Sequence, residues 1–138
     1  MVILSQPTLL IADDDRAFRE SLAEVFRRRG FTIHLAADGF EAIEMVLADS
    51  QLHLIMLDLN MPRLTGLEAL GEIRQRVAVR LPAVLMSAEL DDEVLRQVEF
   101  YQPTAVMEKP FTVRDITARV ETMFHVYYGE GKGTTSLS

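Results

Sequence analysis

Asp13, Asp14, Asp58, Ser87 and Lys109 are the residues whose types and spacing could do chemistry together. Each stands at the end of a short apolar run. Asp13-Asp14-Asp15 follow Leu9-Leu10-Ile11-Ala12, and Asp58 follows Leu54-Ile55-Met56-Leu57. Ser87 follows Ala83-Val84-Leu85-Met86, and Lys109 lies just beyond Thr104 to Met107. If these runs are parallel strands of one open sheet, ligands bind beyond their carboxyl ends, and acids, a hydroxyl and an amine meet at one edge. Carboxylates crowded there repel one another, and either a proton or a cation must relieve them. Oxygen donors without His or Cys suit a hard ion, and a small open site that keeps waters favours Mg²⁺, with Mn²⁺ able to substitute. Such an ion would neutralise an incoming phosphoryl group and leave one carboxylate oxygen to attack phosphorus. Lys109 can neutralise a phosphoryl oxygen and Ser87 can donate a hydrogen bond to another. Asp15 differs: it adjoins a helix start and reads as its cap.

The elements that must position these groups are legible as an alternation. The three apolar runs do not alternate with polar residues, which suits strands buried on both faces. Phe31 to Leu35 and Thr104 to Met107 supply two weaker strands. Helical stripes fill the intervals: Phe18, Leu22, Val25 and Phe26; Phe40, Ile43 and Leu47; Leu67, Leu70 and Ile73; Val94 and Val98; Ile116, Val120, Met123 and Phe124. Thr65 to Glu68 and Thr112 to Asp115 have capping-box spacing, Asp38 precedes Glu41 by three, and Gly30 marks a helix end. Five strand–helix repeats joined by right-handed crossovers predict an α/β fold, (βα)5, with a doubly wound parallel five-stranded sheet and helices on both faces.

The 138 residues suffice for one domain, expected over 1–126. Residues 127–138, rich in Gly, Ser and Thr, read as a flexible tail or the start of a linker. A formal charge of −7 argues against direct nucleic-acid binding, and Arg27-Arg28-Arg29 read as cations closing a helix. Cysteine is absent, which removes disulfides, thiolate metal sites and thiol nucleophiles. No apolar run approaches the roughly 20 residues that span a bilayer, and Met1 to Pro7 lacks the charged start of a signal peptide, so a cytoplasmic location is expected. His34, His53 and His125 read as structural or surface residues, with His53 at the start of the third strand, opposite Asp58.

The segments LLIADDD, LIMLDLNMPRLTG, VLMSA and MEKPF, in this order and spacing, resemble the receiver domain of bacterial two-component response regulators from Leu9 to about Phe124. The resemblance implies a flavodoxin-like sheet of order 2-1-3-4-5, an order the chemotaxis receiver exemplifies among doubly wound folds. It implies Asp58 as phosphoacceptor, with Mg²⁺ held by Asp14, Asp58 and the Asn60 backbone carbonyl, and by Asp13 through water. It further implies Ser87 as switch hydroxyl, Lys109 as phosphoryl partner, a cis Lys109-Pro110 bond, and Asn60 and Glu89 beside the path of the hydrolytic water. Val106 stands where the family often has an aromatic switch residue, and Gln102-Pro103-Thr104-Ala105 lacks the usual glycine-alanine turn. Signal is therefore expected to leave through the loop after Ser87 and the helix that follows.

The function this implies is a signalling switch rather than a metabolic enzyme, catalysing only its own phosphotransfer and dephosphorylation. A sensor histidine kinase or phosphotransfer protein would donate, and a downstream protein or an effector domain would read the result. Dimerisation is compatible with this, and a membrane partner is not expected. Two other classes compete. One is a phosphorylation-independent interaction module. The other is a Mg²⁺-dependent phosphatase of the haloacid dehalogenase type, whose nucleophile pattern Asp13-Asp14-Asp15-Arg16-Ala17 fits poorly.

Overall fold

The computed structural model describes residues 7–78, 81–101 and 104–129. The strands are β1 (Thr8–Ala12), β2 (Thr32–Ala36), β3 (Leu54–Asp58), β4 (Ala83–Ser87) and β5 (Thr104–Glu108). The helices are α1 (Arg16–Arg27), α2 (Gly39–Ala48), α3 (Gly66–Arg76), α4 (Asp92–Val98) and α5 (Val113–Phe124). All strand pairs are parallel, in the order β2-β1-β3-β4-β5, as expected. β1, β3 and β4 are buried along their whole length, which is why their sequences run apolar without alternation.

The pleat divides the core in two. Leu10, Ile55, Leu57 and Leu85 face α2, α3 and α4, while Leu9, Ile11, Met56 and Met86 face α1 and α5. Two expectations need correction. The second strand begins at Thr32, not Phe31. Phe31 instead completes a Schellman closure of α1: its amide bonds Phe26 O, the Gly30 amide bonds Arg27 O, and Gly30 takes φ +95°. Its ring packs edge-on against Phe26, the apolar contact such a closure favours.

In α2, the expected stripe of Phe40, Ile43 and Leu47 is not the buried face. Phe40 and Leu47 are each 49% exposed, and Gly39, Ala42, Ile43 and Val46 are buried instead. The helix is rotated because its first residue lies against the loop after β3, where a Cβ on Gly39 would meet Leu64 O at 2.9 Å. Phe40 then lies under the Arg63 guanidinium, 5.3 Å from its ring centroid.

The capping signals hold. Asp15 and Asp38 cap α1 and α2, and Thr65 with Glu68 forms a reciprocal box on α3. Helical structure also continues past the boundary expected at 126, because His125–Gly129 form one π turn. Within it Tyr128 Oη donates to His53 O at 2.6 Å. Residues 130–138 of the expected tail, and Gln102-Pro103, lie outside the described residues. Among the described residues no helix is long and apolar enough to cross a membrane.

Candidate functional site

Register brings the candidate residues together. Ala12 pairs with Leu57, Asp58 with Met86 and Ser87 with Glu108, so β1, β3, β4 and β5 end at one edge. Asp58 and Ser87 are the last residues of their strands rather than the first beyond them. Past the strands, the Leu59 amide donates to Met86 O and the Lys109 amide to Ser87 O, both at 2.8 Å. The ladder therefore holds the very residues that carry the polar groups. The Lys109-Pro110 bond is cis, as expected.

Asp13 is fully buried, and both its oxygens are engaged: Oδ1 accepts from the Asp15 amide at 2.9 Å and Oδ2 from Lys109 Nζ at 2.8 Å. Its carbonyl accepts from Arg19 Nη1 at 2.6 Å. Asp14 is exposed at the mouth. Asp58 is buried, with Oδ1 3.3 Å from the Asn60 amide and 3.7 Å from Lys109 Nζ. Burial, and then the Asp13 carboxylate, push the Asp58 carboxyl above its ordinary value of 3.8, with Asp14 adding to the rise. Lys109 and the Asn60 amide act the other way and do not prevail.

Carboxylate oxygens of Asp13, Asp14 and Asp58 lie within 4.8 Å of one another. That spread is close to the roughly 4 Å between opposed oxygens around a small hard cation with bonds of about 2 Å. Three carboxylates faced by one ammonium are also an under-neutralised group in a partly buried place, so the donor set fits a divalent cation.

Ser87 Oγ donates to Glu89 O at 2.7 Å and accepts from the Glu89 amide at 3.1 Å and Asn60 Nδ2 at 3.3 Å. Its single proton is committed to its own loop and must be redirected to reach any ligand at Asp58. Glu89 and Asn60 are themselves exposed. Val106 is partly buried against the core cluster beneath α2, α3 and α4.

Two parts of the site were not legible as such. Arg63, at φ 68°, pairs with Asp38, the cap of α2, and so pins the loop that carries Asn60. Phe18, read from its periodicity as core, lies with its ring centroid 4.2 Å from Lys109 Nζ. Its place one turn past the acidic run was the available signal, since the first turn of a helix after β1 must border the strand ends.

The response regulator receiver domain family matches residues 9–121. Response regulator RR06 of Streptococcus pneumoniae is 33% identical over 120 residues, covering 87% of this chain and 54% of that protein. Response regulator MprA of Mycobacterium ulcerans is 38% identical over 117 residues, covering 83% and 49%. The chain thus spans about half the length of these curated relatives. Among solved structures, the Vibrio cholerae chemotaxis protein CheY4 superposes with TM-score 0.79 at 23% identity, covering 85% of this chain and 98% of that one. The receiver domain of Francisella response regulator 1452 does so with TM-score 0.77 at 25% identity, covering 87% and 98%. Fold, strand-end geometry and family match agree, and the chain belongs to the response regulator receiver domains of two-component signalling.

Proposed function

We propose that Asp58 is the phosphoacceptor of a cation-dependent switch, and that a histidine kinase or phosphotransfer protein is its donor. The observation that carries this is the pairing of a buried, electrostatically stressed Asp58 with a second carboxylate and one ammonium at the sheet edge. In the transfer, an Asp58 carboxylate oxygen forms a bond to phosphorus while the bond from phosphorus to the donor's leaving atom breaks and the leaving group keeps the electron pair. A bound Mg²⁺ would supply charge neutralisation for the phosphoryl oxygens and the carboxylates, held by Asp14, Asp58 and the Asn60 carbonyl. Asp13 would act on it through water, a role its engaged oxygens support. Those same bonds, which engage both of its oxygens, tell against Asp13 as nucleophile, and so against the phosphatase alternative.

Lys109, already 3.7 Å from Asp58, exchanges Asp13 for a phosphoryl oxygen. Ser87 gives up Glu89 O to donate to another, which remodels the loop before α4 and carries the signal to a partner protein or an effector domain. Asn60 and Glu89 flank the route of the water that ends the signal. Val106 lacks a ring to follow Ser87, so the β4–α4 loop is the main output. Intact mass after incubation with Mg²⁺ and acetyl phosphate tests the chemistry. One phosphoryl adduct that requires Mg²⁺ and is lost in Asp58→Asn is expected. No adduct on folded, Mg²⁺-binding wild type would leave an interaction module that does not use phosphorylation.

A further inference from the structure

We propose that Phe18 is a positioning residue for Lys109, its ring face retaining the ammonium in the site while it exchanges Asp13 for a phosphoryl anion. This rests on the assignment of Lys109 as phosphoryl partner. Lys109 Nζ sits 4.2 Å from the Phe18 ring centroid, well inside the roughly 6 Å over which a cation is attracted to a ring face. The Lys109 side chain is only 20% exposed, so water screens the attraction weakly. Asp13 at 2.8 Å and Asp58 at 3.7 Å supply its anionic contacts, and the ring is the apolar wall beside them.

The ring is itself held in place. The Phe18 amide donates to Asp15 Oδ1, the cap of α1, which fixes its backbone. Phe111, two residues beyond Lys109, packs edge-on against the ring at 5.8 Å and 68°. A short hydrogen bond to Asp13 must break when Lys109 turns to an incoming anion, whereas attraction to a ring face changes little over such a shift. Phe18 therefore keeps the ammonium from escaping to solvent between two anions and spares a flexible lysine the loss of its competent rotamers. Aliphatic packing at residue 18 would fill the same space without that hold.

A fluorination series tests this, with phenylalanine, 4-fluoro-, 3,5-difluoro- and pentafluorophenylalanine at position 18, alongside Phe18→Leu and Phe18→Trp. Ring volume changes little while the negative face is weakened stepwise and then reversed. The first readout is the Lys109 ε-ammonium resonance without phosphodonor, and the second is affinity for beryllofluoride with Mg²⁺. A graded shift of the resonance is expected, with a matching loss of beryllofluoride affinity of about 2- to 30-fold from phenylalanine to pentafluorophenylalanine. Phe18→Leu should resemble the pentafluoro protein, and Phe18→Trp should recover wild-type behaviour. A flat resonance across the series, with Phe18→Leu costing only stability, overturns the proposal and makes Phe18 core filler. Absence of beryllofluoride binding and of any adduct in wild type instead removes the phosphoacceptor reading, while the resonance series still reports on the ring contact.

Discussion

Asp58 carries a charge the fold does not favour in the metal-free protein. Its folded carboxyl lies above 3.8, chiefly through burial and then through Asp13. Between 3.8 and that higher value the folded state binds more protons than the unfolded state, so stability falls as pH rises through the folded value. With chelator present, Asp58→Asn is expected to melt above wild type at neutral pH. The advantage should shrink as pH falls through the folded value and the wild-type carboxyl becomes neutral. Melting curves of both proteins across that range check it, and a pH-independent difference would remove the buried charge as its cause. Mg²⁺ should raise the wild-type midpoint in a concentration-dependent way, as any ligand of the native state alone does.

The loop from β3 into α3 decides where the Asn60 carbonyl lies, and it is built by close approach. A Cβ on Gly66 would stand 2.3 Å from the Asp58 carbonyl oxygen, a backbone atom that no rotamer change can move. With a backbone atom in the way, Gly66→Ala is expected to cost about 2–3 kcal/mol in urea unfolding, the upper part of the range for overpacking. Thr65→Ala, which removes the cap but no space, should cost about 1 kcal/mol and leave the loop path intact. If the two variants lost the same stability, the close approach would not be what shapes the loop. Arg63 pinned to Asp38 and Leu64 packed on Gly39 tie this loop to α2, which explains why the α2 stripe is rotated from its expected face.

Over the whole molecule, the two ends of the sheet do different work. The carboxyl edge collects acids and an ammonium, while the opposite edge is sealed by rings. His53 there packs against Phe124 and Tyr128, and its Nδ1 accepts from the Thr8 amide. Tyr128 lies beyond the expected domain boundary yet bonds His53 O, so the π turn is part of the packed domain. Tyr128→Phe is expected to lower stability by about 1 kcal/mol in denaturant unfolding. Phosphorylation should be unchanged, because β3 separates His53 from Asp58 by about 17 Å. A loss of phosphorylation without a loss of stability would mean that the two edges are coupled.

The alternation of elements and the identity of the polar residues at the edge were legible in the sequence, and the strand order followed from the family resemblance alone. Unalternating apolar runs of this length suit buried strands, Asp15, Asp38, Thr65 and Thr112 mark four of the helix starts, and the motifs around Asp58 and Lys109 carry the resemblance to the receiver family. Tertiary structure decided the rest, because the remaining features are distances between residues remote in the chain. The 2.8 Å contact of Lys109 with Asp13 and the ring of Phe18 beside it join positions about ninety apart. The buried face of α2 depends on a carbonyl at Leu64, and the role of Tyr128 on one at His53. Periodicity reports which residues share a face; it carries no information about what that face meets, and packing chooses among faces by space and charge that only the folded chain supplies.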